Sequence, residues 1–219
     1  MGRSGRSTKS GVRLFASLLA AVFAVLCFSG CSKEFKTDSV VNLAKKNGMN
    51  QISVIELERR WAGGSLSETE YLQTQTPAYY VSSSSDEANS LYAKHLSFDK
   101  SDIPGLEELV VCEGAYETFG TLLMRTVSEE SAKKIYQGWA EYFKDDNDVC
   151  YSGSKSGYDY TIAYGDNKSE TIKEEVGGVY IKGRTVIVLT AKIGEDNDRK
   201  LLDTFSKSLG LVLPEAVKK

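Results

Sequence analysis

The chain has 219 residues, 27 of them basic and 30 acidic, with a single histidine and a mean hydropathy of −0.29. Four of the basic residues fall before residue 14 and no acidic residue does, so the chain beyond the leader carries 23 basic against 30 acidic side chains, a net charge of −7. That balance excludes a nucleic-acid grip and an electrostatic hold on anionic lipid; the length predicts one domain with a real hydrophobic core.

Arg3, Arg6, Lys9 and Arg13 form a basic tip, followed by an apolar run over 14–28 and then Phe28, Ser29, Gly30 and Cys31. A positive start, an apolar middle and a small-residue cleavage site make an export signal. The apolar run is shorter than the ~20 residues a membrane-spanning helix needs. The last four of these residues resemble the lipobox of bacterial lipoproteins, with Phe28 standing where that family usually has Leu. The resemblance implies removal of residues 1–30 and a diacylglyceryl thioether on Cys31. Two acyl chains would then hold the domain stably on the outer, extracytoplasmic face of the cell membrane. Ordinary secretion, with cleavage near Gly30, is the alternative.

A polar tether over 31–36 precedes a helix that opens at Thr37 or Asp38 and stops at Gly48, with Val40, Val41 and Ala44 on its apolar stripe. Weak alternation over 52–60 predicts a strand, and the Gly, Ser, Thr and Gln content of 61–76 predicts a loop. A strand follows over 78–82, suited by Tyr79, Tyr80 and Val81. Ser84 or Ser85 then caps a helix whose apolar face is Ala88, Leu91, Tyr92, His95 and Leu96. After a loop around Pro104 and Gly105, paired strands are expected over 107–113 and 117–127.

Ser128 caps the clearest helix in the chain, with Ala132, Ile135, Tyr136, Trp139 and Phe143 at the spacing of a buried face. From 149 to 192 the pattern is strand and turn. One strand carries Tyr158, Tyr160, Ile162 and Tyr164 on one side, a turn falls at 165–167, a return strand covers 169–176, and a hairpin covers 179–182 and 185–192. A last helix opens at 196–198, buries Leu201, Leu202, Phe205 and Leu209, and ends at Gly210. Ser84, Ala88, Leu91, Tyr92 and His95 match Ser128, Ala132, Ile135, Tyr136 and Trp139 at identical spacing. A duplicated strand-helix unit is one account of this echo; the shared pattern of any capped amphipathic helix is the other.

The expected fold is therefore α+β, a mostly antiparallel sheet with helices packed on one face. One globular domain spans 37–213, with a point of subdivision, if there is one, near 100–105, and 214–219 form a tail. The order of helix, glycine stop, tyrosine-rich strands and closing helix is also similar to small lipoproteins of Gram-positive bacteria, a resemblance that implies no activity.

Chemistry is sparse. His95 would have to serve any histidine-based triad, but it continues an apolar stripe and no Gly-x-Ser-x-Gly elbow is present. No zinc spacing exists, and the acidic runs 145–148 and 195–198 lack the alternating ligands and central glycine of a calcium loop, so no metal and no cofactor is expected. Phosphate and dinucleotide loops are absent. Cys112 and Cys150 are an even pair in an oxidising compartment, which permits a disulfide or leaves two reduced buried thiols. Tyr158, Tyr160 and Tyr164 would make a sugar or peptide platform if exposed and ordinary core if covered; their alternation with Asp159, Thr161 and Ala163 makes them the better core candidates. The expectation is a membrane-anchored, non-enzymatic binding or interaction protein with an envelope protein, peptide or glycan as partner. The alternatives are a carboxylate-based hydrolase of envelope polymers and an assembly factor for a membrane complex.

Overall fold

The computed structural model describes residues 34–62, 75–98, 105–115, 118–146, 149–165, 175–192 and 196–213. The expected export leader, Cys31, most of the expected loop at 61–76, the expected turn residues 166–167, the expected return strand up to 174 and the expected tail 214–219 lie outside them.

Helix α1 (Thr37–Lys46) opens with Asp38 and closes with Lys45 and Lys46, each charge favourable to the helix dipole. Gly48, at φ +74°, ends it. Strand β1 (Asn50–Gln51) and helix α2 (Val54–Trp61) come next. The expected strand over 52–60 is thus mostly helix. The Ser53 hydroxyl accepts from Glu56 N at 3.3 Å, and Glu56 pairs with Arg59 and Arg60 one turn on. Val54, Leu57 and Trp61 stand at i, i+3 and i+7, a helical spacing that the neighbouring Ile52 and Ile55 made look like alternation.

Strand β2 (Ala78–Val81) leads into α3 (Ser85–Leu91), capped by Ser84. This helix runs on as a π-helical turn, Tyr92–Leu96, closed by Ser97 N donating to Tyr92 O at 2.9 Å. Strands β3 (Leu106–Glu113) and β4 (Phe119–Thr126) pair antiparallel; then α4 (Glu129–Asp146) starts at Ser128, whose hydroxyl accepts from Ser131 N. Strands β5 (Val149–Lys155), β6 (Tyr158–Gly165), β7 (Glu175–Lys182) and β8 (Thr185–Lys192) precede α5 (Asp196–Leu209). The expected strands over 169–176 and 179–182 meet in the single strand β7.

All eight strands join one sheet in the order β1-β2-β3-β4-β8-β7-β6-β5. Only β1 and β2 are parallel. The α+β class and the mostly antiparallel sheet are those expected. Strand β2 pairs antiparallel with β3.

Helices cover both faces, which corrects the expectation of one. Val110, Leu123, Ile187 and Leu189 face α1 and α5 in one core that includes Val40, Leu202 and Phe205. Val111, Met124, Val186 and Val188 face α2, α3 and α4 in a second core with Leu57, Leu91 and Ile135. The central strands β3, β4 and β8 are therefore buried on both sides. Their unbroken apolar runs, such as 109–112 and 186–189, are the mark of that burial; hairpin connections fix strand direction and leave the number of covered faces open.

Candidate functional site

The tyrosine face belongs to the first core. Tyr158 is buried, and its hydroxyl donates to Gly210 O at 3.1 Å and accepts from Val212 N at 2.9 Å. Tyr180 on the neighbouring strand donates to Val212 O at 2.8 Å. The two phenols hold 210–212 down over the sheet, and Tyr160 and Tyr164 pack partly buried against the same core. Burial pushes the Tyr158 and Tyr180 hydroxyls above the usual phenol range. No open platform of tyrosines is formed.

Cys112 and Cys150 are both free thiols. Cys112 lies on β3 and Cys150 on β5, with β4, β8, β7 and β6 between them. Five strand spacings put them about 24 Å apart, and they belong to cores on opposite faces of the sheet. A bridge reaches ~7 Å between Cα atoms, so the pairing allowed by the sequence is not formed. Burial raises the Cys112 thiol far above its usual pKa, with the neighbouring Glu113 adding to the shift. It therefore offers no thiolate at neutral pH.

A different group of residues meets in a cavity of about 410 Å³ on the second face. Its floor is the sheet, with Val111, Leu122 and Val188 side by side on β3, β4 and β8. Arg60 and Trp61 come from the end of α2, His95 and Leu96 from the π-helical turn after α3, and Trp139 from α4. Glu113 and Thr190 stand at the strand ends. Gly120 keeps the floor open beside them, since a Cβ there would lie 2.9 Å from Thr190 Oγ1. The chain has two tryptophans and one histidine, and all three line this cavity.

The polar end is built around a buried ion pair. Arg60 is 3% exposed; its Nη1 donates to Thr76 O at 2.9 Å and lies 3.8 Å from Glu113 Oε2, while its Nε lies 3.6 Å from Glu56 Oε1. Trp61 Nε1 donates to Glu113 Oε1 at 2.7 Å. The Trp61 indole packs on His95, ring centroids 4.9 Å apart. His95 Nε2 lies 3.9 Å from Glu58 Oε1, and Glu58 accepts from Lys94 Nζ at 2.7 Å on the rim. Desolvation, then the Lys94 ammonium, holds His95 below the usual imidazole range against the opposing pull of Glu58. The imidazole is neutral at pH 7. On the far wall Trp139 packs edge-on against Phe98, itself half exposed, and its Nε1 is buried without a hydrogen-bond acceptor among the described residues.

Glu113 is the one carboxylate among the described residues that line the cavity. Among the described residues no cluster of three or more His, Cys, Asp and Glu side chains is placed to hold a metal ion. A second charged network, Glu34–Arg184–Glu107–Arg125–Glu108, lies at the opposite end of β3 and β4. The row from Glu113 to that end of β3 is about 20 Å long.

The sequence reading placed His95 and Trp139 as edge and core of two apolar stripes and left Trp61 in a loop. The signal that joins two of them was visible: His95 and Trp139 occupy equivalent positions in the repeated helix pattern, and both helices pack on the same face. Trp61, Arg60 and Glu113 had no such signal. No protein-family model and no curated protein matches the chain.

Proposed function

We propose that this is an extracytoplasmic lipoprotein that binds a small ligand without catalysing its conversion. The observation that carries the reading is the convergence of both tryptophans and the only histidine on one cavity that also holds the Arg60–Glu113 pair. Ligand sites have this character: a mostly apolar and aromatic lining with a few placed polar groups. A hydrolase of the two-carboxylate kind needs a second acid within about 10 Å of the first across the scissile bond; among the described lining residues Glu113 stands alone.

The leader supplies the location. With Cys31 as the lipidated first residue, Glu34 lies within about 10 Å of extended chain from it. Glu34 is bound to Arg184, in the network at the end of β3 and β4 opposite Glu113. Among the described residues no helix is long and apolar enough to cross a membrane, and the anchor in this reading is the lipid alone.

Two experiments test it. Metabolic labelling with a palmitate analogue marks the wild type and misses Cys31→Ala; equal labelling of both ends the anchor claim. A fragment screen read by the fluorescence of Trp61 and Trp139 gives saturable hits. Hits that leave both indoles unperturbed, or hydrolysis of glycan, peptide or ester substrates that is lost in Glu113→Gln, would overturn the binding role.

A further inference from the structure

The cavity's lining narrows the chemistry of what it holds, an inference that rests on the binding role just proposed. Charge comes first. Arg60 is the cation in the lining and Glu113 the anion, and they lie 3.8 Å apart with Arg60 further held by Thr76 O and Glu56. The third titratable group, His95, is uncharged at neutral pH. A charged ligand would enter this mostly apolar space with no counter-charge left for it among the described lining residues, and would be disfavoured by its own desolvation.

Shape and hydrogen bonding come next. The floor is aliphatic, made by Val111, Leu122 and Val188, and the walls are the tilted Trp61–His95 ring pair and the Trp139 indole. A pyranose could stack on an indole, but it brings four or five hydroxyls. Each one left against the aliphatic floor is a polar group buried without a partner, and among the described lining residues the strongest polar groups, Arg60 and Glu113, are already engaged with each other. A flat aromatic ring needs no such partners and gains from edge or offset contact with the indoles. Three uncharged polar atoms of the lining residues are buried without a hydrogen-bond partner among the described residues, Trp139 Nε1, His95 Nε2 and Thr121 Oγ1, and of these the indole nitrogen alone can only donate. Glu58 Oε1, at 3.9 Å, lies beyond hydrogen-bond reach of His95 Nε2.

We infer that the cavity takes an uncharged aromatic ring compound carrying an acceptor oxygen, with the ring between Trp61 and Trp139 and the oxygen on Trp139 Nε1. The available space, about 410 Å³, suits one or two fused rings.

The test uses the lipidated protein in nanodiscs, labelled with 5-fluorotryptophan. With two tryptophans in the chain the ¹⁹F spectrum has two signals, and both report on the cavity. The probes are benzamide, toluene, benzoate, benzyltrimethylammonium and N-acetylglucosamine. Benzamide is expected to shift both signals saturably. It should bind at least tenfold more tightly than the two charged probes and the sugar, and about fivefold more tightly than toluene, the gain of one hydrogen bond. Trp139→Phe, which keeps a ring and removes the donor, should erase the advantage over toluene, read from the remaining Trp61 signal. Should that variant not fold, the benzamide-to-toluene ratio on the wild type decides alone. A charged probe or the sugar binding as well as benzamide overturns the ligand class while the binding cavity stands, and parity of benzamide with toluene overturns the acceptor oxygen. If no probe moves either signal, the ligand class and the binding role fall together.

Discussion

Arg60 and Glu113 show how much a single pair can carry at the edge of a core. Arg60 is almost wholly buried, and Glu113 is the carboxylate that faces it from β3 while accepting from Trp61. Glu113→Gln keeps an oxygen for the indole but removes the negative charge that faces the buried Arg60 guanidinium. A loss of about 3 kcal/mol is expected, measured by urea unfolding; a loss below 1 kcal/mol would mean that the charge is compensated without Glu113. His95 gives a pH dependence with a definite sign. Its folded pKa lies below the ordinary 6.5, so the unfolded chain binds the proton more readily. The stability it contributes is complete above about pH 6.5 and falls as the pH drops through the folded value. Unfolding midpoints at pH 7.5 and pH 5 should therefore differ more for the wild type than for His95→Gln. A larger difference in the variant would reverse the assignment.

At the scale of elements, the approach of α4 to the sheet depends on a missing side chain. Gly177 on β7 sits under Phe143 of α4, and a Cβ there would lie 2.5 Å from Phe143 Cε1 and 3.2 Å from the Leu189 carbonyl oxygen. Phe143 is itself buried, so it has little room to withdraw. Gly177→Ala is expected to cost about 1–3 kcal/mol by overpacking, read as a lowered thermal midpoint; pairing it with Phe143→Leu should recover part of the loss. Helix existence was legible in the sequence wherever a cap preceded a clean stripe, as at Ser84 and Ser128. The short α2 was not, because eight residues hold barely two turns and its apolar residues fit two periods at once. The continuation of α3 as a π-helical turn had no legible signal either, and it is that turn which carries His95 and Leu96 to the cavity.

The whole molecule is closed by its C-terminal third. Strand β8 pairs with β4 on one side and β7 on the other, so the N-terminal and central parts of the sheet meet only through it. α5 then covers one face, and Tyr158 and Tyr180 fasten the segment after it. A chain ending before Thr185 should lose cooperative unfolding altogether, because β4 and β7 each expose an apolar strand edge and the first core loses Ile187, Leu189 and Phe205. A sharp unfolding transition in that truncated chain would contradict the central role of β8. The long connections that such pairing requires also predict folding in the millisecond-to-second range, slower than a helical bundle of this size.

By itself the sequence determined the acidic balance of the chain beyond residue 30, the α+β class, most strands and the capped helices. These depend on local composition, caps and periodicity, which neighbouring residues settle among themselves. Only the tertiary structure decided that β8 inserts between β4 and β7, that both faces of the sheet are covered, that Cys112 and Cys150 lie on opposite faces about 24 Å apart, and that Arg60, Trp61, His95, Glu113 and Trp139 share one cavity. Such contacts join residues far apart in the chain. Their energies come from surface buried between elements, and no local pattern records which elements will meet.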